Sequence, residues 1–242
     1  MAASSNGTVK FYAHDQKENT VFKEVGNLQA HEKSDVQDEN FGSLHKYSEV
    51  WNLVPQSYYF NEENFSEDIL KYFVTCSEDQ TCKVWKMTSS NSESFEDLKF
   101  ECLDVLEGHT KAVTDVAWCK MSPEVLGEEY KNDHVFASCS DDQTVRIYRV
   151  STEDKENIKF EHLYNLDTHF IQDWHTITYM ALEENGKRVA VVTQNGCLVI
   201  WELSASDGPK MIFGRKIHTG GVEGLRWTGG KLLTLSSDCT AC

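Results

Sequence analysis

Two eleven-residue stretches of this chain superimpose without a gap. Thr75-Cys76-Ser77-Glu78-Asp79-Gln80-Thr81-Cys82-Lys83-Val84-Trp85 matches Ser138-Cys139-Ser140-Asp141-Asp142-Gln143-Thr144-Val145-Arg146-Ile147-Tyr148. A chain that repeats itself must build the same local structure more than once, which constrains its fold more than composition does. Weaker copies end at Tyr12 and Trp201: Ser4-Ser5-Asn6-Gly7-Thr8-Val9-Lys10-Phe11-Tyr12 and Thr193-Gln194-Asn195-Gly196-Cys197-Leu198-Val199-Ile200-Trp201. Each copy predicts a β-hairpin. Asp, Asn and Gly tolerate the left-handed backbone of a tight turn, and the residues that follow alternate polar and apolar with the period of a strand.

A second element recurs upstream. After His109 the apolar residues Val113, Val116 and Trp118 fall at the same offsets as Val222, Leu225 and Trp227 after His218. That spacing predicts a turn followed by a strand.

Together, Gly108-His109, the turn aspartates and the terminal aromatic residues resemble the WD-repeat family, whose units build β-propellers. The resemblance covers nearly the whole chain and implies an all-β fold. It divides 1–242, a single propeller region, into units at about 1–14, 45–87, 107–150, 173–203 and 216–242. The Trp-Asp pair that names the family is replaced by Trp85-Lys86, Tyr148-Arg149 and Trp201-Glu202. The aromatic landmarks lie 73, 63 and 53 residues apart, whereas a compact repeat takes about 40 to 45. The excess is assigned to loops at 28–44, 61–68, 88–96, 121–133 and 151–157. The first and last units are partial, so the expected architecture is an incomplete propeller of three whole repeats. The alternative is a four-bladed ring closed by the two partial units.

His109, Ser140 and Asp142 have the residue types of a hydrolytic triad. The resemblance instead implies a buried structural network of His109, Ser140, Asp142 and Tyr148, which satisfies polar groups that are costly to bury alone. The corresponding residues are Ser77, Asp79 and Trp85, with His45 one residue out of register, and His218, Ser236 and Asp238. The unit ending at Trp201 departs from the pattern, with Thr193, Asn195 and Asp173 at the network positions, and Asn6 stands where Asp is expected in the first unit. Cys239 and Cys242 have the spacing of a zinc or redox pair but lack a second pair of ligands. Cys76 and Cys139 read as core. No catalytic, cofactor or metal site is expected.

Composition narrows the function. The chain has 39 acidic and 23 basic side chains, for a net charge of −16, and this disfavours nucleic acid, which is bound largely by neutralising phosphates. Lys210, Arg215, Lys216, Arg226 and Lys231 are the one basic stretch, read as solvated charge. No apolar run reaches the roughly 18 to 20 residues that span a bilayer, and no signal segment opens the chain. The expectation is a soluble protein of the cytoplasm or nucleus with its eight cysteines reduced. It is a non-catalytic scaffold, part of a multiprotein complex, that binds a protein or peptide, favouring a basic one. In the family the top face is built from the turns before the first strand and between the second and third. Here those are Lys46, Tyr47, Glu78, Lys111, Ala112, Asp141, Gln194, Gly220 and Gly221. The alternative is a structural subunit docked through sheet edges and the loops 28–44 and 61–68. A ubiquitin-ligase receptor role is disfavoured, because neither Trp85-Lys86-Met87 nor Trp201-Glu202-Leu203 fits the Trp-Asp-x-Arg pattern.

Overall fold

In the computed structural model the repeats are antiparallel β-sheet. The structure describes residues 2–3, 7–14, 22–31, 50–55, 72–89, 98–120, 125, 127, 130, 133–151, 158–168 and 176–242, and every named element among them is a strand. Asn6, His45, Lys46, Tyr47, Asp173, the segment 61–68 and most of the other expected insertions lie outside these residues. The chain forms two compact units, 1–113 and 114–242.

The first unit holds two sheets. One consists of β1 (Ala2–Ala3), β2 (Thr8–His14) and β3 (Phe22–Gln29). The other consists of β4 (Val50–Pro55), β5 (Tyr72–Ser77), β6 (Cys82–Ser89) and β7 (Leu98–Leu106), each strand pairing with the next in sequence. Val9 and Phe11 pack against Phe73 and Trp85. The Phe11 ring stacks on Phe100 at 4.6 Å and meets Phe73 edge-on at 5.4 Å.

The second unit repeats the arrangement with β8 (Val113–Lys120), β9 (His134–Ser140), β10 (Thr144–Ser151) and β11 (Lys159–Asp167). A further sheet follows, β12 (Ile177–Leu182), β13 (Arg188–Thr193), β14 (Cys197–Glu202) and β15 (Lys210–Lys216), and then the pair β16 (Val222–Thr228) and β17 (Lys231–Ser236). Both faces of the middle sheet are covered. Val189, Val191 and Val199 join the cluster that contains Val135, Ala137, Val145 and Ile147, whereas Ala190, Val192 and Leu198 pack with Val222 and Trp227. Alternate residues of β13 therefore enter two different cores, which is why a strand of a stacked sheet reads as a continuous apolar run.

The fourth strands β3, β7, β11 and β15 lie outside the units read from sequence. Of these, β7, β11 and β15 are exposed over more than half of their length; β15 carries no apolar alternation, whereas β7 keeps a short one, Leu98-Lys99-Phe100-Glu101, that packs Leu98 and Phe100 inward. Each pairs with its third strand through a register slip beside the landmark aromatic residue, at Phe11/Tyr12, Val84/Trp85, Ile147/Tyr148 and Ile200/Trp201. The slip is a β-bulge, which increases the local twist.

The hairpin turns share one backbone geometry. Gly7, Gln80, Gln143, Gly196 and Cys239 have φ of 77°, 71°, 68°, 87° and 66°. The amides of Gln80, Gln143, Gly196 and Cys239 donate to the carbonyls three residues earlier, at 3.1 to 3.3 Å. This is a three-residue loop with its last residue left-handed. The carbonyl of that residue then receives the chain leaving the fourth strand: Ala30 and His31 donate to Gly7 O, Thr168 to Gln143 O, and Ile217 and His218 to Gly196 O.

Gly196 is therefore the glycine least open to replacement. A Cβ there would lie 2.2 Å from the His218 carbonyl oxygen, whereas at Gly208, with φ of 70°, it would meet nothing within 4 Å. Gly208→Ala is expected to cost about 1 kcal/mol of stability, the left-handed strain alone, and Gly196→Ala at least about 2 to 3 kcal/mol. Urea denaturation of the two variants measures the difference.

Candidate functional site

The turn between β5 and β6 is built around Asp79. Its Oδ1 accepts the Thr81 amide at 3.0 Å and the Thr81 hydroxyl at 2.7 Å. Its Oδ2 lies 2.6 Å from Nδ1 of His31, which is fully buried. On the other side of the ring, His31 Nε2 is 2.8 Å from the hydroxyl of buried Thr75, and the Trp85 indole N–H donates to the same oxygen at 3.1 Å. An indole can only donate. Thr75 thus accepts from Trp85 and turns its own proton to His31 Nε2, leaving Nδ1–H for Asp79.

The turn after β17 repeats these contacts. His218 Nε2 is 2.8 Å from the Thr234 hydroxyl, and Nδ1 lies 2.8 Å from the Thr240 hydroxyl and 3.3 Å from Asp238 Oδ2. Asp238 Oδ1 accepts the amide and hydroxyl of Thr240, and Oδ2 accepts the Thr219 amide. In the β9–β10 turn, Asp142 Oδ1 accepts the amide and hydroxyl of Thr144 at 2.9 and 2.6 Å. His109 and Tyr148 are buried, as is Ser138, the equivalent of Thr75 and Thr234.

Two readings change with this geometry. The imidazole that meets Asp79 is His31, and His45 lies outside the described residues. His109 and His218 each stand four residues before their first strand, but His31 is separated from β4 by a long insertion, which hides it from a search by spacing. The serines also serve a different atom. Ser77, Ser140 and Ser236 accept the amides of Asp79, Asp142 and Asp238 at 3.1 to 3.3 Å. For His31 and His218 the hydroxyl on the imidazole comes from two residues earlier, on the same strand face. That position varies between Thr75, Ser138 and Thr234, so the invariant serine drew the assignment instead.

The sheet ending at Trp201 departs from this arrangement among its described residues. Val191 occupies the place of Thr75, and Thr193 closes its own turn by donating to Asn195 at 2.6 Å and accepting the Cys197 amide at 3.1 Å.

Burial pushes the Asp79 carboxyl up, but hydrogen bonds from His31 and Thr81 outweigh it and hold the group below the usual carboxylate range. The Thr240 hydroxyl, opposed by desolvation and helped by the Thr219 and Thr240 amides, does the same for Asp238.

Of the residues assigned to the top face, Glu78, Lys111 and Gln194 are exposed, and Ala112, Asp141, Gly220 and Gly221 are partly buried. Gly221 is committed internally, its carbonyl accepting the Ser237 amide and the hydroxyls of Ser236 and Ser237. A Cβ on it would come within 2.9 Å of Gln194 O, so the structure brings Gln194 and Gly221 side by side. Lys46 and Tyr47 lie outside the described residues. Among those residues no group of three or more His, Cys, Asp or Glu is placed to hold a metal ion, and no helix is long and apolar enough to cross a membrane.

The repeated sheets, their left-handed turns and the buried imidazole links are those of a WD-repeat protein, the β-propeller class of all-β folds. The model of the WD domain, G-beta repeat, matches residues 66–86 and 100–149. It is 36% identical over 88 residues to the protein transport protein SEC13 of Debaryomyces hansenii, a stretch covering 36% of this chain and 25% of that protein. It is 40% identical over 83 residues to the SEC13 of Scheffersomyces stipitis, covering 34% of this chain and 22% of that one. A probable cytosolic iron-sulfur protein assembly protein 1 of Chaetomium globosum is 32% identical over 83 residues, covering 33% of this chain and 18% of that protein. The chain spans a quarter or less of the length of these relatives.

Thr75→Val strands both the Trp85 N–H and His31 Nε2 in a dry interior, and is expected to cost about 2 to 3 kcal/mol; Ser77→Ala, which removes one acceptor of a turn amide, is expected to cost about 1 kcal/mol. Denaturant titration of both variants tests the ranking. Because the folded Asp79 carboxyl lies below its ordinary 3.8, its contribution is fully present above that pH and is lost as pH falls through the lower folded value. The stability gap between the parent and Asp79→Asn should therefore be constant near neutrality and shrink below about pH 4, read by urea midpoints across pH.

Proposed function

We propose that this chain belongs to a non-catalytic interaction scaffold that takes a protein or peptide partner on the turns between its second and third strands and before its first. The supporting observation is a division of labour in adjacent residues. Asp79 is spent on His31 and Thr81, whereas Glu78, one residue earlier, is exposed. A residue that turn geometry does not need is open to selection by a partner. The triad reading has little to support it: Ser140 Oγ accepts the Asp142 amide, and Asp142 Oδ1 is occupied by Thr144. The net charge of −16 favours a basic partner through long-range attraction.

A second reading, docking through sheet edges as one subunit of a larger assembly, draws on Met211 and Ile212, exposed large apolar residues of the outer strand β15. Relatives named as transport and assembly proteins are compatible with either.

Affinity capture with Glu78→Lys/Asp141→Lys against the parent separates the two. On the turn-face reading the captured partner falls by roughly tenfold, as when two interfacial charges each lose about 0.7 kcal/mol, and the loss is smaller at high salt. Undiminished capture by this variant, with loss on Ile212→Asp, transfers the interaction to the β15 edge.

A further inference from the structure

The hairpin of the β4–β7 sheet holds two thiols directly opposite one another. Cys76 on β5 and Cys82 on β6 are register partners, both buried and both reduced. The neighbouring pair toward the turn, Ser77 and Thr81, is joined by the Ser77 N–H to the Thr81 carbonyl. Antiparallel pairs alternate, so Cys76 and Cys82 form the non-hydrogen-bonded pair. Such a pair brings Cα atoms to about 4.5 Å, inside the range of about 4.4 to 6.8 Å that a disulfide needs. Directly opposed residues also share one face of the sheet.

Packing does not account for the pairing. The equivalent partners elsewhere are Cys139 with Val145, Val192 with Leu198, and Leu235 with Ala241. Each includes an aliphatic side chain, so the fold asks only for a small apolar pair at this position. Among the described residues, only in the β5–β6 hairpin do the two places that face each other both carry sulfur. They lie one pair from the turn, behind Ser77 and Thr81, near the end of the hairpin where local opening admits a small reagent.

We propose that Cys76 and Cys82 are an oxidisable dithiol that a low-molecular-weight disulfide such as oxidised glutathione converts to a cross-strand disulfide. One thiolate attacks the glutathione disulfide, forming a mixed disulfide and expelling one glutathione. The second cysteine thiolate then displaces the remaining glutathione, closing the Sγ–Sγ bond. Two cysteine thiols are oxidised, one glutathione disulfide is reduced to two glutathiones, and the two protons end on their thiols. The hairpin so closed brackets Asp79 and Glu78, and dithiothreitol reverses the reaction.

The test uses the 242-residue chain with the exposed Cys102, Cys239 and Cys242 changed to Ser and the buried Cys139 left intact. After hours in oxidised glutathione under native conditions, the protein is denatured, alkylated and digested with trypsin. Residues 72–83, bounded by Lys71 and Lys83, then carry both cysteines in one peptide. The expected product is that peptide unalkylated and lighter by two hydrogens, and doubly alkylated after prior dithiothreitol. Cys82→Val, which copies the Val145 position, should keep the parent's thermal transition and yield no such species. Recovery of the doubly alkylated peptide after oxidation overturns the proposal. So does a persistent glutathione adduct on the parent, a link from either residue to another cysteine, or closure that occurs only in urea.

Discussion

A buried imidazole bonded to the aspartate of a hairpin turn joins parts of the chain that are remote in sequence. His31 and Asp79 are 48 residues apart, yet their atoms lie 2.6 Å from each other. The ring comes from the segment before a first strand and the carboxylate from the turn between the second and third, so the bond fixes where a sheet begins relative to its own hairpin. It is sustained because every polar atom in the chain has a partner: indole to hydroxyl, hydroxyl to imidazole, imidazole to carboxylate, carboxylate to the turn hydroxyl and amide. In a dry interior such a chain is stable only when complete. The sheet ending at Trp201 shows the other solution, in which Val191 replaces the hydroxyl residue and the interior is left apolar.

The turns do more than reverse the chain. Their left-handed last residue exposes a carbonyl that catches the backbone as it leaves the fourth strand, seen at Gly7, Gln143 and Gly196. Glycine takes that conformation without strain, and Gln80, Gln143 and Cys239 take it at a cost. The other hydrogen bonds of the turn offset that cost, and its first central residue remains open. In one turn this leaves Glu78 exposed, and in another Gln194. Structure and recognition are thus divided between neighbouring side chains of a single turn.

The hairpins were legible because their chemistry is local: the Asp-Gln-Thr turns and the alternation leading to Trp85 and Tyr148 need only adjacent residues. The outer strands were not: β15 faces solvent over most of its length, which removes the apolar rhythm, and β7 keeps only a short one that packs Leu98 and Phe100 inward. The site was half legible. Asp79, Asp142 and Asp238 stand where the repeat placed them. His31 was missed behind an insertion, and Thr75 and Thr234 were overlooked because either hydroxyl residue satisfies the imidazole and the position is free to vary.

By itself, then, the sequence determined the repeat, the turn type and the residues whose side chains close each turn, because period-two patterning and left-handed turn chemistry act over a few residues. The tertiary structure alone decided which histidine meets which aspartate, which hydroxyl stands between ring and indole, and which two faces of β13 enter which core. Those choices depend on atoms brought together across tens of residues and on how one sheet stacks upon the next, and nothing in the local pattern encodes a distance of that kind.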